Sequence, residues 1–190
     1  MNTPLRASLL MLLALLPFSL ARAADEGYTK ALEVFQSAGE SSHYFRSAYG
    51  YALFPTIGKA GFGVGGARGK GRLYRQGAWV GDTTMTQLTV GLQLGGQAYS
   101  QIIFFEDQRA FDEFTGGNFE FGAQATAVAI TAGVSGTAST TGSSAGASGG
   151  QSDATTVGKY YKGMAVFTVA KGGLMYEASI GGQKFSYKPR

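Results

Sequence analysis

The sequence of 190 residues contains no cysteine and a single histidine, His43. Without cysteine the chain cannot form a disulfide framework, a thiolate metal site or a cysteine nucleophile. With one imidazole, a metal site built from several histidines is excluded as well. Proline is scarce, with 4 residues, and charged residues make up only 15% of the chain. We therefore expect no metal, no cofactor and no enzymatic activity.

Glycine and aromatic residues are abundant by contrast. Glycine accounts for 30 of the 190 residues, and 13% are aromatic. Since disordered chains are poor in aromatic residues, these glycines are expected to shape a fold. Nine of them lie in residues 58–81 and five in residues 136–150. We assign the first set, with the pairs at 95–96 and 181–182, to close backbone approach and sheet bending, and expect only these to resist replacement by alanine.

The N-terminal segment has the pattern of a secretory signal peptide. Arg6 precedes an apolar run over residues 7–16, and Ala21 and Ala23 form a small-x-small cleavage signal. We therefore expect residues 1–23 to be a signal peptide and residues 24–190 to be one exported domain. An exported chain without cysteine fits the bacterial periplasm, either free or at the surface of a membrane.

Helical periodicity is found in three segments. Apolar residues recur at helical spacing in Asp25–Ala38. A second helix is predicted over Ser42–Tyr49, with Ser41 as its N-cap, and Pro55 prevents its continuation. A third is predicted over Glu106–Phe114, with acidic residues near its start.

From Lys59 onward the pattern changes to the alternation typical of strands. A Ser/Thr/Gly/Ala segment at 134–156 predicts a flexible loop. The pair Gly95-Gly96 is either a tight hairpin turn or a bend in one long curved strand. The predicted strands cover Phe62–Val64, Ala78–Val80, Gln87–Leu94, Ala98–Phe105, Phe119–Ala132, Gly163–Ala170, Leu174–Ile180 and Lys184–Tyr187. The chain is thus predicted to be an α+β domain with a strongly bent antiparallel sheet, which either stays open or closes toward a barrel.

Motifs that suggest catalysis or nucleotide binding have simpler explanations. Gly61, Gly63 and Gly66 match a dinucleotide-binding spacing, but that motif requires a helix after its last glycine, and the glycines that follow here leave no room for one. His43 has no orienting partner nearby in the sequence. The acidic pairs of Glu106–Phe114 fit a solvated helix face.

The positive charges are concentrated in one part of the chain. Residues 59–81 contain no acidic side chain, and their basic residues are Lys59, Arg68, Lys70, Arg72 and Arg75. Three of these alternate, so in a strand they would project from one face. A basic surface of this kind suits an anionic phospholipid or membrane surface. Nucleic acid is not an expected partner of an exported protein.

Two segments resemble the opening signature of SYLF domains. They are Tyr49–Pro55, which reads YGYALFP, and Ile57–Gly66, which reads IGKAGFGVGG. The segments Gln93–Phe105, Arg109–Phe114 and Gly117–Ala132 keep the order found in that family. The resemblance therefore spans about Tyr28 to Tyr187.

The resemblance implies a membrane-associated, lipid-binding module. Eukaryotic members bind phosphoinositides through basic residues and an N-terminal amphipathic helix, which Lys59 and Asp25–Ala38 match here. Some yeast members also bind actin, which is not expected of an exported bacterial protein. The chain differs from the family after Gly163–Phe167, where Lys171-Gly172-Gly173 replaces an acidic turn.

These observations lead to one function and one alternative. The expected function is non-enzymatic binding of anionic phospholipid through the basic residues of 59–81. The alternative is a periplasmic carrier or scaffold that encloses an apolar ligand within the bent sheet. The alternative rests on two strand faces of matching phase, one shared by Leu88, Val90, Leu92 and Leu94 and the other by Phe119, Phe121, Ala123 and Ala125.

Overall fold

The computed structural model describes residues 23–91, 96–122, 125, 127–130, 160–171 and 180–190. Three predictions fall outside these residues. They are the signal peptide up to residue 22, the loop at 134–156 and residues 174–179 of a predicted strand.

The described elements form one curled sheet with helices packed on it, which confirms the predicted α+β class. In chain order they are α1 over residues 23–37, α2 (Gly39–Ser42), α3 (Tyr44–Ser47), β1 (Gly50–Arg75), β2 (Ala78–Gly91), β3 (Gly96–Phe105), α4 (Gln108–Thr115), β4 (Phe119–Glu120), β5 (Val128–Ile130), β6 (Met164–Lys171) and β7 (Lys184–Pro189). The strand order is β4-β7-β2-β1-β3-β6-β5. All pairings are antiparallel except that of β5 with β6. Over the described residues the two outermost strands do not pair, so the sheet is open.

Strand β1 serves both halves of the sheet. Its first part pairs with β3 from Gly50 to Ala60, and its second part pairs with β2 from Gly63 to Arg75. In these registers β2 and β3 do not pair with each other, so the hairpin alternative for Gly95-Gly96 is wrong. We call β1 up to Ile57 with β3, β6 and β5 the first layer. The second layer is β1 from Ala67 with β2, β7 and β4.

The two layers approach closely where β1 folds back on itself. A Cβ atom built on Gly71 would lie 2.9 Å from the Leu53 carbonyl oxygen, and one on Gly69 would lie 3.1 Å from that of Thr56. At Gly50 the hypothetical Cβ would be 2.5 Å from the Tyr74 carbonyl oxygen. Gly69 and Gly71 therefore permit the close backbone approach that the sequence predicted, and Gly50, which is outside the predicted set, permits it as well. Gly58, from the same predicted set, has no atom within 4 Å of such a Cβ, so for Gly58 that prediction is wrong.

Buried side chains form two clusters, one on each face of the first layer. Between the two layers, and under α4, lie Phe54, Ile57, Leu73, Met85, Ile103, Phe105, Phe111, Phe114 and Phe185. Between the first layer and the N-terminal helices lie Phe35, Tyr44, Leu53, Ile102, Phe104, Phe167 and Val169. Among the described residues the outer face of the second layer is covered at its Arg72 end, where Tyr28, which packs against the second cluster, and Trp79 lie against the guanidinium. At Arg68 and Lys70 that face is open to solvent.

The predicted helix Ser42–Tyr49 is wrong in its extent. The chain forms two single-turn helices, α2 and α3, and strand β1 already begins at Gly50. Ser41 does not cap a helix, because its buried hydroxyl donates to the Phe35 carbonyl oxygen at 2.6 Å. Pro55 lies inside β1 at a register shift, a position where a strand tolerates a missing N–H donor.

The later helix and strands fit the sequence more closely. Helix α4 begins after Asp107, whose carboxylate accepts a hydrogen bond from the Ala110 backbone N–H at 2.8 Å. Asp107 is thus the N-cap, so the predicted start at Glu106 is two residues too early and no acidic residue lies in the first turn. Strands β6 and β7 match two of the predicted strands within two residues. Within the predicted strand Phe119–Ala132 the described residues form β4 and β5, and residues 123, 124, 126, 131 and 132 lie outside the described part of the chain.

Candidate functional site

The outer face of the second layer carries the predicted basic residues. From Ala67 to Leu73 burial alternates along β1, with Arg68 and Lys70 exposed and Arg72 half-buried between buried neighbours. Successive side chains of a strand point to opposite faces. The three basic residues therefore project from one face, as their spacing predicted.

Neighbouring strands extend this surface. Arg68 pairs with Thr86 of β2, which in turn pairs with Lys184 of β7, and Lys70 pairs with Thr84. Further along β2 on the same face is Leu88, whose residue is 86% exposed. We define the basic face as Arg68, Lys70, Arg72, Thr84, Thr86, Leu88 and Lys184.

Leu88 bears on the alternative of an enclosed apolar ligand. That alternative requires the strand face that contains Leu88 to point into the bent sheet. Leu88 instead lies on the solvent side. Gly66 is its partner in the register, and a glycine leaves that side of the neighbouring strand without a side chain. The side chains of Val90, Leu92 and Leu94 lie outside the described residues. For Leu88 the inward placement is wrong.

Arg72 is the most enclosed cation of the basic face. Its guanidinium lies 4.1 Å from the ring centroid of Tyr28 and 3.9 Å from that of Trp79. One Nη atom is 2.6 Å from a carboxylate oxygen of Asp25, and the Arg72 side chain is 17% exposed. Tyr28 also donates a hydrogen bond to the Lys70 carbonyl oxygen at 3.4 Å. The first turn of α1 is therefore fastened to one end of the basic face.

Burial and neighbouring charges shift the pKa values of Arg72 and Tyr28. Burial on its own lowers the pKa of Arg72, but the hydrogen bonds to Asp25 and Tyr74 outweigh it and raise the pKa above its usual value. Burial also raises the pKa of Tyr28 to about 12, although the charge of Arg72 opposes this. Arg72 is thus a permanent positive charge held in a partly desolvated place.

The other predicted residues lie away from this centre. Arg75 is exposed at the end of β1, beside the turn formed by Gln76 and Gly77. Lys59 is half-buried and pairs with Gln97 of β3, in the other ladder of β1. The structure therefore brings Arg68, Lys70 and Arg72 together and separates Lys59 and Arg75 from them.

The sequence predicts that the C-terminal basic residues, Lys184 among them, extend this surface if the two segments adjoin. Lys184 does join the basic face, through the β2–β7 pairing, and its ammonium lies 3.4 Å from a carboxylate oxygen of Glu120. Two other residues were missed by the sequence reasoning. Asp25 and Tyr28 were read only as part of an amphipathic helix. No local signal identifies their contact with Arg72, which lies 47 residues from Asp25 in the sequence.

The described residues contain no group of three or more histidine, aspartate or glutamate side chains placed to hold a metal ion. None of the described helices is both long enough and apolar enough to span a bilayer. His43 is exposed, and its ring lies 4.2 Å from the ring of Tyr44.

Two comparisons relate the chain to known proteins. A family model described as "Ysc84: Las17-binding protein actin regulator" matches residues 86–189, which is more than half of the chain. Beta cell expansion factor A of Aeromonas veronii is 28% identical over 168 residues, which are 83% of this chain and 52% of that protein. The chain therefore spans about half the length of the relative it matches.

Proposed function

The chain belongs to the Ysc84 (SYLF) family, and from that premise we propose that it binds anionic phospholipid at a membrane surface without catalysing a reaction. The observation that carries the proposal is the basic face. Arg68 and Lys70 are exposed there and, within the described part of the chain, form no ion pair. An exposed leucine, Leu88, lies on the same face.

The basic face combines the two contributions that peripheral membrane binding needs. Each lysine or arginine close to an anionic leaflet contributes about 1 kcal/mol. Burial of one leucine side chain contributes roughly 1.5–3 kcal/mol. Arg68, Lys70 and Leu88 together therefore suffice for measurable, reversible attachment. Lys59 and Arg75 add positive charge beyond the face.

The proposal also covers location and partners. The protein acts in the periplasm as a peripheral membrane protein, and its partner is the anionic lipid surface. It uses no cofactor, and neither nucleic acid nor actin is a partner. The predicted signal peptide and the absence of cysteine support this placement.

Flotation with lipid vesicles tests the function. Vesicles of phosphatidylcholine with phosphatidylglycerol are compared with vesicles of phosphatidylcholine alone. We expect binding only to the anionic vesicles, with at least about tenfold weaker binding for the Arg68→Glu, Lys70→Glu double variant, since each lost charge contact costs about 1 kcal/mol.

The matched control is the Arg46→Glu, Lys162→Glu double variant. It reverses two exposed basic residues that lie in α3 and in the turn before β6, outside the basic face. We expect it to bind nearly as well as the wild-type protein. Equal binding to neutral vesicles, or equal losses in the two double variants, contradicts the proposed role of the basic face.

A further inference from the structure

Arg72 and Asp25 differ sharply in exposure although they form one ion pair. The Arg72 side chain is 17% exposed, whereas that of Asp25 is 65% exposed. The guanidinium of Arg72 lies against the ring faces of Tyr28 and Trp79. The cation is therefore fixed by its surroundings, while the carboxylate reaches it from the solvent side.

An exposed carboxylate on a fixed guanidinium is an exchangeable ligand. An Nη atom of Arg72 donates a hydrogen bond of 2.6 Å to a carboxylate oxygen of Asp25. Guanidinium offers five N–H donors in a planar fork and binds carboxylate and phosphate oxygens with the same geometry. Exposed ion pairs contribute little to stability, so little opposes the exchange.

We propose that Arg72 is the centre of an oxyanion-binding site, in which the carboxylate of Asp25 holds the position that a lipid phosphate takes on membrane binding. This inference rests on the proposed function and names the chemistry of its ligand, a phosphate oxyanion. Asp25 then acts as a competitor built into α1 and lowers the affinity of the basic face.

The surroundings of Arg72 suit a phosphate better than a carboxylate alone. Lys70 projects from the same face two residues earlier, which places it about 7 Å away along the strand. Arg68 follows at the same spacing. Asp25 contacts one of these three cations, whereas the phosphates of a lipid surface can contact all three. Asp82 of β2 is the register partner of Arg72 and is exposed on the same face. Displacement of Asp25 therefore removes one of two carboxylates from the Arg72 end of the row and increases its net positive charge.

A matched pair of variants tests the competition. Asp25→Asn and Glu26→Gln each remove one negative charge from the same turn of α1, but Glu26 pairs with Lys30, at 2.6 Å, and not with Arg72. We expect Asp25→Asn to strengthen binding to phosphatidylglycerol vesicles about fivefold, because Arg72 no longer has an internal anion. Glu26→Gln should change it less than about twofold, because only general charge is altered.

The same two substitutions made in the Arg72→Gln protein show whether the effect of Asp25→Asn on vesicle binding depends on Arg72. In the Arg72→Gln protein, Asp25→Asn should strengthen vesicle binding no more than Glu26→Gln does. Trp79 is the one tryptophan of the chain and lies against Arg72, so its fluorescence reports on the site during each titration. Thermal unfolding of each variant shows whether it is folded.

The outcomes separate this inference from the proposed function. Failure of the wild-type protein to bind anionic vesicles overturns the proposed function. Binding by the wild-type protein with equal effects of Asp25→Asn and Glu26→Gln overturns the competition alone. If inorganic phosphate without vesicles changes Trp79 fluorescence, and more so in Asp25→Asn, while Asp25→Asn leaves vesicle binding unchanged, the oxyanion site is supported and lipid as its source is overturned.

Discussion

The two layers of the sheet share strand β1 but use it differently. In the first layer residues 52–55 are all buried, because the second layer covers one face and helices α1 to α3 cover the other. In the second layer burial alternates from Ala67 to Leu73, because only the inner face is covered. One strand thus changes from a two-sided core element to a one-sided surface element. The basic face exists because the described clusters leave Arg68 and Lys70 uncovered, while Tyr28 of α1 covers only the Arg72 end.

The largest expected effect comes from the covered face of the first layer. Phe104 is fully buried there and packs against the rings of Tyr44, Phe45 and Phe167. Replacement by alanine removes a large buried side chain and leaves a cavity. We expect Phe104→Ala to lower the free energy of unfolding by about 4 kcal/mol, as measured by urea denaturation.

The matching change on the open face is Thr86→Ala, which removes an exposed side chain between Arg68 and Lys184. Surface substitutions of this kind alter stability by about 0.5 kcal/mol or less. If the two variants lose similar stability, the described difference between the layers is wrong.

The second effect concerns the place where the layers meet. A Cβ atom on Gly71 would lie 2.6 Å from a ring carbon of Phe54 and 2.9 Å from the Leu53 carbonyl oxygen. Backbone cannot move away as a flexible side chain does. We therefore expect Gly71→Ala to destabilise the protein by about 3 kcal/mol, as measured by the midpoint of chemical denaturation.

Gly58→Ala provides the control for this variant. It lies in the same strand and in the same glycine-rich segment, but its Cβ would have no atom within 4 Å. We expect a neutral or slightly stabilising change, because alanine restricts the unfolded chain. A loss as large as that of Gly71→Ala would show that the glycines matter for strand flexibility rather than for close approach.

These glycines show how far the sequence predicts the fold. Gly69 and Gly71 alternate with Arg68, Lys70 and Arg72, so one pattern predicted both an extended strand and its basic face. The strand between Gly50 and Gly58 was missed. Its residues are buried on both faces, so it lacks the alternation that identifies a strand. Burial on two sides removes the periodic signal.

The candidate site was predicted in part for a similar physical reason. Charge and spacing identified Arg68, Lys70 and Arg72, because all three lie in one short segment. Asp25 and Lys184 reach them through helix docking and strand pairing, which depend on the tertiary fold. Likewise, Ser41 was expected to cap a helix, but its hydroxyl has a buried carbonyl partner in α1. Contacts between distant segments leave no mark on local sequence patterns.

The smallest of the three stability effects concerns a polar contact between the layers. Gln101 of β3 and Gln183, which precedes β7, are fully buried and exchange two amide hydrogen bonds, of 2.9 and 3.2 Å. The Gln183 amide also donates to the Tyr99 hydroxyl at 3.2 Å. These bonds join the first layer to the second across the interior between them. Neither layer satisfies them alone.

We expect Gln183→Leu to cost about 2 kcal/mol in urea denaturation, because the amide of Gln101 is left buried without its partner. The double variant Gln101→Leu, Gln183→Leu should cost less than the sum of the two single changes, since it leaves no orphaned amide. Gln97→Leu, at an exposed position of the same strand β3, is the matched control and should alter stability by about 0.5 kcal/mol or less. Additive losses in the double variant would mean that each glutamine acts within its own layer, and that apolar packing alone holds the two layers together.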